Sequence, residues 1–246
     1  MFNNKIKLTA YTWENDIFIN EKPSFNKPDQ AEWLRMLKST NKHYNQHQDY
    51  YFDVPSAKVC PAINNYLNNG IKFKAWTNIR VRINPDGTVE HLKGSEGSLG
   101  TGMPLFGQHS PDQYEYLYQR NKTAFKLLNP WILKCEQNIK FLFTESHYST
   151  NILRENNILI APGLIDFKYQ HATNIHLIAD IKKEPYEIII PYGTPLVTLF
   201  PVTEKEIDFK CELVCQEKYN KIHMHFPRCP FKKYSQLIKN LGEQQP

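Results

Sequence analysis

A mainly β fold with an N-terminal α+β elaboration follows from three observations on this chain of 246 residues. From Phe125 to Val202, short apolar runs rich in β-branched and aromatic residues follow one another closely. Turn residues punctuate them at the spacing of an all-β protein. Hydrophobic residues make up 41% and aromatic residues 13% of the chain, enough to fill a core and to exclude a disordered chain.

The elements can be taken in order. Residues 5–20, "KIKLTAYTWENDIFIN", alternate well enough for one or two strands. "EKPSFNKPDQAEWLRMLKST" reads as a Pro-punctuated loop and a short helix, with Asp29 as N-cap and Trp33, Leu34 and Leu37 on one face. "NKHYNQHQDYYF" (41–52) shows no period and reads as loop. "CPAINNYLNNG" is a short helix, with Pro61 in its first turn and Gly70 as its stop. The stretch 71–92, "IKFKAWTNIRVRINPDGTVEHL", predicts a β-hairpin, because two β-rich arms flank the turn residues Asn84–Gly87. "GSEGSLGTG" (94–102) lacks the Lys-Ser/Thr ending and the strand-to-helix setting of a phosphate loop, so it reads as a plain Gly/Ser loop. Then come the strand candidates "FKLLNPWILKC", "IKFLFTES", "NNILIAPGLID", "NIHLIADI", "YEIIIP" and "TPLVTLFPV", with Pro130 and Pro195 at starts or edges. The tail "KYSQLIKNLGEQQP" predicts a short amphipathic helix.

The bulk numbers limit the function classes. Lys and Arg total 30 against 25 Asp and Glu, interspersed and without like-charge blocks. That balance describes a solvated mixed surface, with a nucleic-acid groove as the lesser alternative. No apolar run is long enough to span a membrane, and the first residues show no secretion signal. The five scattered cysteines, Cys60, Cys135, Cys211, Cys215 and Cys229, fit reduced, metal-free thiols in a cytoplasmic setting.

Two segments carry a resemblance. "APGLIDFKYQ" (161–170) and "YEIIIPYGTPLVTLF" (186–200) resemble the third and fourth motifs of the dUTPase and dCTP-deaminase superfamily, whose fold is a small, twisted β-clip barrel. Gly163, Leu164, Ile165, Asp166 and Tyr169 match Gly-Val-Ile-Asp-x-x-Tyr, and Gly193, Leu196, Val197 and Leu199 match the apolar frame of Gly-x-x-Ile-Ala-Gln-Leu. The longer run, together with Cys60, Pro61, Ala62, Gly70, Trp76 and Ile79 upstream, resembles a group of tailed-phage proteins.

The superfamily resemblance implies a homotrimer and a nucleotide pocket lined by Gly163, Ile165, Tyr169, Gly193 and Thr198. It also implies Asp166 as the residue activating a hydrolytic water, and Mg as the phosphate-bound ion if nucleotide binds. Other parts of the pattern have no counterpart. Thr198 stands where the family has Gln, no Arg-Ser-Ser segment precedes the third motif, and "GSEGSLGTG" lies before the strands rather than after them as a lid. The expectation is therefore a non-catalytic phage-type β-clip protein acting in binding or assembly, in the host cytoplasm or the virion. The alternative is a deoxynucleoside triphosphate hydrolase using Asp166 and Tyr169.

Other constellations carry less. "CELVCQEKYNKIHMHFPRC" gathers Cys211, Cys215, His223, His225 and Cys229, but at no standard zinc spacing. "HYNQHQDYYF" and "QYEYLYQR" could stack bases or sugars, or could line an interface or cover a sheet edge. Ser146 and His147 lack a nucleophile elbow around them. The expected organisation is an N-terminal elaboration (1–124), a β-clip-like barrel (125–206) and a C-terminal extension (207–246), with a shared core.

Overall fold

The structure, a computed structural model, describes residues 5–25, 32–92, 106–109, 115–148 and 152–223. Asp29, the loop 94–102, His225, Cys229 and the tail helix lie outside the described residues. The chain opens with β1 (Ile6–Thr12), α1 (Asn15–Asn20), β2 (Ser24–Phe25), α2 (Glu32–Met36), β3 (Thr40–Asn45), β4 (Tyr50–Pro55) and α3 (Pro61–Asn69). It continues through β5 (Ile71–Lys74), β6 (Ile79–Ile83), β7 (Val89–His91), β8 (Phe106–Gln108), α4 (Glu115–Tyr118), β9 (Lys122–Leu127) and β10 (Ile132–Cys135). Then come β11 (Phe141–Glu145), α5 (Ile152–Glu155), β12 (Leu159–Ile160), β13 (Gly163–Ile165) and β14 (Ile175–Asp180). β15 (Tyr186–Ile190), β16 (Pro195–Pro201), β17 (Ile207–Leu213) and α6 (Gln216–His223) complete it.

The fold is mainly β. Its sheets have the orders β10-β1-β17, β13-β11-β16-β5-β2, β12-β14-β9-β8, β15-β6-β7 and β3-β4, and none of them closes into a barrel among the described residues. Most carry their apolar residues inward on alternate positions, as strands with one buried face must. Leu8, Phe73, Phe125, Phe141, Leu177 and Leu199 meet in a single core that draws on β1, β5, β9, β11, β14 and β16. Each such side chain contributes about 1.5–3 kcal/mol through its removal from water. The position expected as a boundary, 124/125, falls inside β9, and the sheets join strands from both sides of it. β1 itself runs parallel to β17, from Ile6↔Ile207 to Thr12↔Leu213, so the first and last strands among the described residues are hydrogen-bonded side by side.

Several expectations are corrected. The second half of 5–20 is helix α1, not strand. Ile17 is buried and Ile19 is 63% exposed; a strand would place both on one face, whereas a helix turns them about 200° apart. The hairpin is shorter than 71–92. Its arms are β6 and β7 around Asn84–Gly87, with Gly87 at φ +81. β5 leaves for another sheet because residues 71–83 run antiparallel to 186–199 as one bent ribbon, with β5 against β16 and β6 against β15. At the bend, Ala75 N–H donates to Thr194 O and Gly193 N–H donates to Ala75 O, both at 2.8 Å. "FKLLNPWILKC" is two strands in different sheets, β9 and β10. Residues 41–52 are not loop but most of the β3–β4 hairpin.

Candidate functional site

The motif residues take up structural positions. Gly163 lies in β13 opposite Phe143 of β11; its φ is not positive, and a Cβ there would meet nothing within 4 Å. Ile165 faces Phe141 at the end of the same strand. Asp166 opens the following turn. Its Oδ1 accepts the Lys168 N–H at 2.9 Å, and its carbonyl accepts the N–H groups of Tyr169 (3.1 Å) and Gln170 (2.9 Å). This is the Asx-type capping that makes Asp a turn former. The Tyr169 ring is half-buried and carries the Lys168 ammonium 5.5 Å from its centroid. Gly193 is the third residue of the turn Pro191–Thr194, at φ +75, where a residue with a side chain is strained.

Thr198 lies elsewhere. It is fully buried in β16, opposite Thr144 of β11 and Lys72 of β5. Asp166 follows the other end of β13, two strands away. At roughly 4.8 Å per strand and 3.4 Å per residue, the two stand about 10 Å apart across the sheet and a further 13 Å along it. This sheet therefore does not bring Asp166 and Thr198 together.

A different site emerges on the same sheet. One face of β13-β11-β16-β5-β2 enters the core through Ile71, Phe73, Phe141, Phe143 and Leu199. The opposite face carries Leu142, Thr144, Thr198, Phe200 and Lys72, as the register requires. Helix α3 covers part of that face. Pro61 starts the helix where a missing N–H costs nothing, and Leu67 is its buried residue. Tyr66, from the same helix, places its ring 4.6 Å from Phe200 and 5.3 Å from Tyr148. The uncovered floor, α3 and the 203–207 segment enclose a cleft of about 730 Å³.

The cleft's far wall is a hydrogen-bonded assembly. The Tyr66 hydroxyl accepts the His147 N–H at 2.9 Å and donates to Glu145 O at 3.3 Å. Burial raises its pKa above the ordinary phenol value. Thr198 Oγ1 donates to Ser146 Oγ at 3.2 Å in the buried layer below. Arg154 Nε donates to Glu145 Oε1 at 2.6 Å, and its Nη2 donates to His147 Nδ1. Ser146 is 1% exposed and bonded to Thr198, so it is no accessible nucleophile. Arg154, Glu145 and His147 are thereby engaged with one another beside the cleft.

The cysteines are separate. Cys135 is buried, and burial pushes its thiol up. Cys211 is pushed up to about 11 by burial and donates to Pro23 O. Among the described residues no three His, Cys, Asp or Glu side chains converge as metal ligands.

Sequence reasoning missed the cleft because it read "IKFLFTES" as a strand without asking which face each residue takes. Phe141 and Phe143 share one parity and Leu142, Thr144 and Ser146 the other, so the face that lines the cleft mixes an apolar residue with hydroxyls. Comparison of the chain with protein-family models and with curated proteins finds no match to either.

Proposed function

We propose that the chain is a non-catalytic protein of binding and assembly, of the phage-type β-clip kind that its motifs resemble, and that it associates through the β3–β4 arm. One observation carries this reading. Among the described residues β3 and β4 pair only with each other, and apart from half-buried Asn45 every residue in them is exposed. Both faces are aromatic: His43 packs on Phe52 (5.5 Å) and Tyr50 on Phe52 (5.9 Å) on one, and Tyr44 on Tyr51 (5.0 Å) on the other. An isolated two-stranded ribbon is marginal in water. Exposed Tyr and Phe at this density are what interface cores use. A homo-oligomer, with a trimer as first choice, fits these features.

The second reading, deoxynucleoside triphosphate hydrolysis using Asp166 and Tyr169, draws on the motif match. Against it stand the separation of Asp166 from Thr198 and the engagement of Asp166 with Lys168 N–H. A protein of this second kind would turn over dUTP with Mg and stop on Asp166→Asn; the expected result is no turnover.

The assembly reading is tested by light scattering on the whole chain and on a variant with 41–54 replaced by a short Gly turn. The wild type is expected at a multiple of 29.0 kDa and the shortened arm at the protomer mass. A wild type at 29.0 kDa at every concentration contradicts the proposal.

A further inference from the structure

We propose that the cleft between α3 and the outer face of β11 and β16 binds a neutral, hydroxyl-bearing ring of the kind a saccharide unit presents. Its volume, about 730 Å³, lies within the range of small-molecule sites and admits one or two such rings. The floor is apolar but broken by a hydroxyl. Leu142 and Phe200 are directly opposite each other on neighbouring strands, and Thr144 is two residues from Leu142 on the same face. Leu142 stays 37% exposed although it sits in a central region of the sheet. Covering that surface would release water from it.

The shape of the wall selects the ring. The Tyr66 and Phe200 planes meet at 50°, so they form a bent wall rather than a parallel slot. A flat base cannot stack on both planes at once, whereas the puckered C–H face of a pyranose can lie against both. Above this wall, Asn65 and Asn69 are one helical turn apart on the same side of α3, and both line the cleft. Asn69 Nδ2 donates to the Asn65 carbonyl at 3.0 Å, which fixes that amide and leaves its oxygen as an acceptor. Amides offer both a donor and an acceptor, and that combination matches a hydroxyl, itself both.

Charge selects against phosphate. The 203–207 wall brings Glu204, Lys205 and Glu206, two carboxylates for one ammonium, and Glu206 is already paired with Lys5 at 2.6 Å. Lys5 and Lys205 offset Glu204 and Glu206, so a triphosphate entering here would meet no net cationic attraction, whereas a neutral sugar needs none.

The test is saturation-transfer NMR on the full-length protein with N-acetylglucosamine and its β-1,4 disaccharide, beside thymidine and dUTP. A ligand of this size is expected at a Kd on the order of 1 mM. The saccharides should show ring-proton transfer. The double substitution Asn65→Ala, Asn69→Ala lies on exposed helix positions that keep the fold, and it should weaken binding at least about tenfold through two lost polar contacts. Absence of saccharide transfer overturns the proposal, as does transfer to thymidine or dUTP alone, or saccharide binding that the Asn double variant leaves intact. None of these outcomes depends on the oligomeric state.

Discussion

β1 with β17 and β3 with β4 are two-stranded pairings of similar length, with seven and six registered residue pairs. The first pairing belongs to a three-stranded sheet, and β1 alternates strictly, with Ile6, Leu8, Ala10 and Thr12 buried and the residues between them more exposed. Its long-range register is set by those inward side chains, since a slip of one residue would turn them all to solvent. The second pairing has no inward face. Its register is set by its tight turn and by cross-strand contacts such as Tyr44–Tyr51, each worth about 0.2–1 kcal/mol. Burial holds the first ribbon to its own molecule. The second leaves its side chains exposed on both faces.

The largest expected effect breaks the core side of this contrast. Phe141 is fully buried, packs 5.2 Å from Phe167, and lies between β13 and β16. Phe141→Ala should cost about 3–5 kcal/mol in denaturant melts, from lost transfer energy and the cavity left behind. No change in oligomer mass is expected from it at temperatures where the fold persists.

A smaller effect sharpens the core's response to acid. His176 in β14 stacks on His109 at 4.9 Å, with Lys126 paired opposite it on β9. Burial first, then His109 and Lys126, lower its pKa from 6.5 to about 4. The unfolded chain therefore binds a proton that the folded chain refuses, and stability falls as pH drops from about 6.5 toward 4. Allowing for the partly exposed ring, the loss should be about 2 kcal/mol. His176→Gln should flatten this limb in pH-dependent urea melts. Glu187, held below the usual carboxylate value by Arg82 and Arg80, loses its contribution only as pH falls below its ordinary value of 4.5, at the acid end of that window and beyond.

The smallest stability effect falls on the arm. Tyr51 is 68% exposed and Phe52 39%. Tyr51→Ser with Phe52→Ser should cost the protomer about 1 kcal/mol or less, through lost cross-strand contacts. The same pair should lower the light-scattering mass, which Phe141→Ala does not.

How much of this was legible in the sequence follows from the same contrast. Strands that face the core announced themselves: "NIHLIADI" and "YEIIIP" became β14 and β15, because burying one face draws β-branched, apolar residues into a short run bounded by turn residues. The turn of the β6–β7 hairpin was legible because Gly87 needs φ +81. The arm was not, since aromatics on both faces cancel the period that marks a strand. The bend at Ala75–Asn78 was hidden because residues 71–83 look like one arm of a local hairpin, and their partner 186–199 is remote. In the candidate site, the Asp166 turn could be read from local chemistry. The cleft could not, because it joins α3 to a sheet face formed by strands distant in sequence.

Hydrogen exchange at increasing protein concentration tests the central contrast most directly. The core amides of β9 and β14 should be protected equally at all concentrations, since their partners lie in the same molecule. Amides of residues 40–55 should exchange quickly in dilute protein and gain protection as concentration rises and the arm finds its partner. Arm amides whose exchange does not change with concentration, whether fast or slow throughout, would contradict the account.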